Sequence, residues 1–162
     1  MKIFIGADHR GYRLKNKIAI HLGREGHEVV DLGTHDPEKS CDYPKFSFGV
    51  AQHVAETPGS RGILICMTGI GHSIAANKVA GAYAALCYNK RAAVLSRQHN
   101  NANILVVGAK FVPAKEIMGL IRVWLKTEFA GGRHVRRVGQ IKRTERRTME
   151  GKGRRKKGKG KR

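Results

Sequence analysis

Cysteine is scarce in this chain, and so is acid. Its three cysteines, Cys41, Cys66 and Cys87, show no close pairing, no CxxC and no ladder of spacings. That excludes a disulfide scaffold and a zinc finger. Lone thiols suit a reducing compartment, so a cytoplasmic location is expected. No run approaches the roughly 18 apolar residues of a membrane span. The opening MKIFIGADH turns polar after five residues, which does not read as a signal peptide. There is no HExxH, no carboxylate pair and no three-ligand cluster at metal-binding spacing, so metal-free chemistry is expected.

What is abundant is positive charge. Lysine and arginine number 32 against 12 acids, a net +20 over 162 residues. The length fits one domain, and 41% hydrophobic residues suffice for a core. The charge divides unevenly. Residues 142–162 hold twelve basic and two acidic residues, a net of +10, and residues 1–141 carry the same net charge. The stretch from 142 has almost no apolar residue, so it cannot bury a face and is expected to be disordered from about Gly151. No aromatic residue interleaves with its cations. Any nucleic-acid contact there should be weak, salt-sensitive and indifferent to sequence.

Short apolar runs alternate with helical periodicity along the rest. Lys2–Ile5, Glu28–Asp31, Gly62–Cys66, Tyr83–Cys87 and Ile104–Val107 read as strands. Helices are expected from Tyr12 to Leu22, over Phe46, Val50 and Val54, from Ile74, over Lys90–Ser96, and after Pro113. Residues 33–44 read as loop. Five strands alternating with helices specify an α/β fold with a parallel sheet covered on both faces. Functional groups then belong at the carboxyl ends of the strands, near helix N-termini.

Several polar residues occupy such places. Asp8 and His9 follow the first strand, either as a helix-capping loop or as a contact to sugar hydroxyls or phosphate. Cys66 ends the third strand and opens the turn Met67-Thr68-Gly69-Ile70-Gly71-His72-Ser73. A lone cysteine after an apolar run is most often core. At a strand end facing a helix N-terminus, however, its pKa should be lowered, and the glycine turn offers amides to an anion. Arg97–Asn103 reads as a polar loop before the fifth strand, in which His99 can move a proton near neutral pH. Arg133 and Arg137, if helical, share a face as a phosphate clamp or as a solvated basic face.

The segments GADHRGYRLK (6–15), DYP (42–44), GILICMTGIGHSIAANKVAG (62–81), LSRQHNNANIL (95–105) and GGRHVRRV (131–138) closely resemble the ribose-5-phosphate isomerase B family, which also covers allose 6-phosphate and galactose 6-phosphate isomerases. The resemblance implies a Rossmann-like, three-layer α/β/α domain over 1–141 with a five-stranded parallel sheet, followed by a basic tail, 142–162. It implies a homodimer with shared active sites, in some members paired into a tetramer. It implies cofactor-free interconversion of D-ribose 5-phosphate and D-ribulose 5-phosphate, a step of the pentose phosphate pathway. Cys66 would be the base, His99 would open the ring across the dimer interface, and Asp8 would hold the ring oxygen or a hydroxyl. Thr68 would complete that catalytic set. His9, Arg133 and Arg137 would grip the phosphate. The backbone of Met67, Thr68, Gly69, Ile70 and Gly71, with Asn100, would contact the sugar and the enediolate.

Three positions depart from the family pattern. Met67 replaces a glycine. His72 replaces an apolar residue, and members lacking the cysteine carry a glutamate base there, so His72 is a candidate auxiliary base. Lys110 replaces an arginine near the sugar, keeping the charge and losing the bidentate fork. The alternatives are an isomerase of a six-carbon sugar phosphate, or a non-catalytic paralogue whose basic tail binds nucleic acid.

Overall fold

Apolar side chains alternate faces along the three central strands, and both faces are buried there. The computed structural model describes residues 1–158, with side chains as far as Thr148. Its elements run β1 (Lys2–Ala7), α1 (Tyr12–Arg24), β2 (Glu28–Asp31), α2 (Tyr43–Glu56), β3 (Arg61–Cys66), α3 (Ile70–Ala76), β4 (Ala84–Leu86), α4 (Lys90–Asn100), β5 (Ile104–Gly108), α5 (Ala114–Lys126) and α6 (Arg133–Gly158). The five strands form one sheet in the order β2-β1-β3-β5-β4, and every pairing is parallel.

Ile3, Ile5, Ile63, Ile65, Leu105 and Val107 face a core completed by α1, α4 and α5, with Trp124 fully buried in it. Phe4, Leu64, Ile104 and Val106 face the other way, against Val50, Ala51 and Val54 of α2 and Ala76 of α3. Two-sided burial is why β1, β3 and β5 read as nearly continuous apolar runs. The expected three-layer architecture is present.

Strand ends and the end of α1 shift from the sequence reading by one or two residues, and four other helix boundaries shift further. α2 starts at Tyr43, within the expected loop, because Pro44 is accommodated in a first helical turn. α3 begins at Ile70 rather than Ile74. Gly69 adopts φ 81°, a left-handed conformation that turns β3 directly into the helix. α3 also stops before Val79, where Asn77 spends its side chain on Ser73 O and on both Ala84 backbone groups. α4 continues to Asn100, so Arg97–Asn100 is helix and not loop. Its end is a left-handed cap: Asn101 is at φ 51° and its N–H donates to Arg97 O, while Ala102 N donates to Ser96 O.

α6 lies against α4 and stays helical through Gly158. The disorder expected from about Gly151 falls on residues whose side chains lie outside the described set, and 159–162 lie outside it entirely. Glu145 of this helix accepts from Gly81 N at 3.0 Å and from the Tyr83 hydroxyl at 3.1 Å. Among the described residues no helix is long and apolar enough to cross a membrane.

One buried charge braces the sheet edge. Lys15 is fully buried, and its ammonium meets the Asp31 carboxylate, Asn16 Oδ1 at 2.8 Å and the face of Tyr12 at 5.3 Å. Removing the acid would leave that ammonium uncompensated. Asp31→Ala is therefore expected to cost about 3 kcal/mol, read as a lowered urea midpoint at unchanged slope. An unshifted midpoint would show that Lys15 finds another partner.

Candidate active site

The parallel registers bring the ends of β1, β3 and β5 together. Ala7 pairs with Ile65, and Cys66 pairs with Gly108. Asp8 and Cys66 therefore leave adjacent strands side by side. Asp8 is buried; its Oδ1 accepts from Arg10 N and Gly11 N at 3.0 Å each, which fixes the carboxylate. Its Oδ2 accepts from the half-buried Cys66 thiol at 3.5 Å.

The turn after Cys66 is held from below by β5. Ala109 N and Lys110 N donate to the carbonyls of Cys66 and Met67 at 2.9 Å. A side chain at Gly108 would put its Cβ 2.3 Å from Thr68 O, so only glycine allows this approach. Thr68 Oγ1 accepts from Ile70 N at 3.3 Å and caps the turn. Met67 is exposed, its sulfur 3.2 Å from Arg10 Nη1, and Lys110 is exposed on the same edge. His9 is there too. Its Nδ1 accepts from Cys41 N at 3.3 Å, so its neutral ring carries the hydrogen on Nε2 and can donate it to an anion.

The thiol pKa moves opposite to the expectation. Burial is the largest influence and pushes it up, and the Asp8 charge adds to that. Amides of Gly69 and Thr68 act the other way and do not prevail. Cys66 rests as a thiol donating to Asp8 and must lose a proton before it can accept one.

His72 is fully buried behind them. Its Nδ1 lies 2.6 Å from Ser47 Oγ. Ser47 has one hydroxyl proton and gives it to the Tyr43 carbonyl a turn back, so its oxygen accepts from Nδ1–H. Nε2 then carries a bare lone pair, and it has no hydrogen-bond partner among the described residues. Burial pushes the imidazole down to about 4, against the opposing pull of Asp8. The Tyr43 ring packs edge-on at 5.5 Å. Ligand atoms of Asp8, Cys66 and His72 lie within 4.8 Å of one another. Positions 8, 66 and 72 form no recognisable spacing, so only the fold reveals this cluster.

The remaining expected residues stand elsewhere. His99 and Asn100 end α4, just before β5 begins, so they belong to the amino-terminal edge of the sheet. The central strands separate them from Cys66 by roughly 13 Å, four rises of about 3.3 Å along Gly62–Cys66. Arg133 and Arg137 share the exposed face of α6, which comes to His99 through His134. The His134 ring stacks on His99 at 4.2 Å and 11°. Burial, His99 and the two arginines push the His134 pKa down. Within one chain, then, Asp8, His9, Cys66–Gly71, His72 and Lys110 gather at one edge. His99, Asn100, Arg133 and Arg137 gather at the other.

Arg97 and Asn103 are structural. Arg97 donates to Thr127 O, Asn101 Oδ1 and Ala102 O, and its guanidinium lies over Trp124 at 5.9 Å. Asn103 binds Tyr83 N and Gly81 O. An open cavity of about 460 Å³ lined by Arg61, Arg97, Lys142, Glu145 and Arg146 holds none of the expected site residues. Sequence reasoning missed Tyr43 and Ser47, which orient His72, and His134, which orients His99. The DYP segment was the available signal for Tyr43.

Known proteins carry the same arrangement of elements. A family model described as Ribose/Galactose Isomerase matches residues 3–141. Ribose-5-phosphate isomerase B of Escherichia coli K12 is 44% identical over 146 residues, 90% of this chain and 97% of that protein. A ribose-5-phosphate isomerase B structure from Clostridium thermocellum superposes with TM-score 0.86 at 51% identity, covering 91% of this chain and 99% of that one. The structure of the Mycoplasma genitalium protein with bound ribulose-5-phosphate gives TM-score 0.86 at 44% identity, covering 90% and 96%. By that match over nearly the whole fold, the chain belongs to the ribose/galactose isomerase family.

Proposed function

We propose that the chain is a cytoplasmic ribose-5-phosphate isomerase that interconverts D-ribose 5-phosphate and D-ribulose 5-phosphate through a cis-enediolate, without a cofactor. The observation that carries this reading is the Cys66 thiol, set against Asp8 and the 67–71 turn at the strand ends of a ribose/galactose isomerase fold. Aldose–ketose exchange needs one base beside two adjacent carbons and donors for the developing oxyanion. Cys66 moves the proton between C2 and C1. The thiol proton leaves to solvent, because burial makes the His72 imidazole too weak a base to take it; His72, with its bare Nε2, is the auxiliary group that accepts a hydrogen bond from a substrate hydroxyl beside Cys66. Asp8 holds a ring oxygen or hydroxyl, and Thr68 and the backbone of Met67, Gly69, Ile70 and Gly71 face the enediolate. Lys110 supplies a point charge near the sugar.

The ring-opening acid comes from a second copy. Placing His99 of one subunit opposite Cys66 of another joins the two edges that a single chain holds apart. The same step brings Asn100, Arg133 and Arg137 to the sugar phosphate that His9 approaches from the other side. The binding energy of the phosphate then orients carbons remote from it. The unit is a homodimer with shared sites, and dimers can pair further into a tetramer. The basic tail adds weak, salt-sensitive polyanion contact.

A second reading, an isomerase of allose 6-phosphate or galactose 6-phosphate, is favoured by the breadth of the family itself. Measuring kcat/KM for each sugar phosphate decides between them. Ribose 5-phosphate is expected to lead by at least about tenfold, the scale of discrimination set by one carbon unit. The reverse order would assign the six-carbon substrate, and no turnover of any of them would overturn both readings.

A further inference from the structure

We propose that Asp8, Cys66 and His72 form a zinc-binding site, and that zinc held there switches the reaction centre off. The inhibition rests on the isomerase reading; the binding does not.

The ligand types are those zinc takes: a carboxylate, a thiolate and an imidazole. Thiolate and imidazole together disfavour magnesium and calcium. The geometry is close to what the ion needs. Zinc bonds of about 2.3 Å to sulfur and about 2.0 Å to oxygen, at a tetrahedral angle, put those atoms about 3.5 Å apart. Cys66 Sγ and Asp8 Oδ2 are 3.5 Å apart. A ring nitrogen of His72 lies within 4.8 Å of both, so a shift of about 1 Å completes the triangle.

Each ligand is already oriented by a neighbour. Arg10 N and Gly11 N hold Asp8 Oδ1 and leave Oδ2 free. Ser47 holds His72 Nδ1 and leaves the Nε2 lone pair bare. That nitrogen belongs to a fully buried side chain and lacks a partner among the described residues. Hydrogen bonds of this kind fix the tautomer and basicity of a metal-bound histidine. On binding, the Cys66 thiol gives its proton to solvent, and the two anionic ligands neutralise the ion. Three protein ligands leave the fourth position to water, as in sites that exchange their metal. Donating a lone pair to zinc strips the sulfur of most of its basicity, and the ion fills the space beside it that a substrate carbon would need; together these are the source of the inhibition.

Co²⁺ reports on the site directly. The untagged, chelator-treated chain is expected to bind about one Co²⁺ with a sulfur-to-cobalt charge-transfer band, as a single three-ligand thiolate site requires. Zn²⁺ should displace the Co²⁺ and stop turnover, and a chelator should restore turnover. His72→Leu should weaken Zn²⁺ binding by about 100-fold and Ser47→Ala by about tenfold. Cys66→Ser should lose the band, and this near-isosteric change keeps the test available if His72→Leu does not fold. Cys41→Ser should retain it, which excludes the Cys41–His9 pair as its source. No band in the parent chain, loss of the band in Cys41→Ser, or unchanged Zn²⁺ affinity in both Cys66→Ser and His72→Leu would overturn the proposal. A band without turnover in metal-free buffer ends the isomerase reading and leaves the site standing. Turnover without a band does the reverse.

Discussion

Cys66→Ala is expected to lower kcat for ribose 5-phosphate by about 10³-fold while KM changes by less than about threefold, the range removed with a general base. Under the proposed function the substrate's remaining contacts would be the phosphate ligands and the 67–71 backbone, which alanine leaves in place. The pH profile adds a second signature. Burial and Asp8 raise the thiol pKa, so the thiolate fraction is small at neutral pH and grows as pH rises. Turnover by the parent chain should therefore climb toward alkaline pH, and iodoacetamide should inactivate it along the same curve. Both dependences should vanish in the alanine variant. Near-full activity in Cys66→Ala, together with a dead His72→Ala, would move the base to the imidazole.

Mixing two inactive variants should restore activity. If each site takes Cys66 from one chain and His99 from another, Cys66→Ala and His99→Asn homodimers are both dead, each lacking one group in every site. Heterodimers hold one site with both groups and one with neither. Equal mixing with random exchange makes half of the dimers mixed, so about a quarter of the parent activity should return, as the two-fold arrangement dictates. Recovery should follow the time course of subunit exchange. No recovery under conditions where exchange is measured would show that each chain works alone, which the opposite placement of Cys66 and His99 makes chemically awkward.

The sheet was legible because both of its faces are buried. GILIC and ILVV contain no polar interruption, and no solvent-facing strand would read that way. Helix ends were less legible for identifiable reasons. Gly69 looked like a turn residue, and its left-handed backbone does make a turn, but one tight enough to start α3 four residues early. Gln98, His99 and Asn100 looked like loop because they are polar, yet they are the last turn of α4. Polarity there reports partial exposure, not irregular backbone.

Among the site residues, Asp8, Cys66 and the 67–71 turn were legible from their places at strand ends. The direction of the Cys66 pKa was not. The sequence displays the favourable amides, which are neighbours in the chain. It hides the burial and Asp8, which lies 58 positions away. Ser47 was hidden similarly: its contact to His72 spans 25 positions, and nothing in its local sequence marks it as more than a helix residue.

The anchoring of Glu145 bears on where the chain can be shortened. Charge changes character at residue 142, but contacts do not: the Glu145 carboxylate, about three turns into the helix, ties α6 to Gly81 and Tyr83, at the entrance to β4. A chain cut at 141 would strip the Tyr83 hydroxyl and the Gly81 amide of their acceptor. One cut after Thr148 would keep both bonds and still shed eight lysines and arginines.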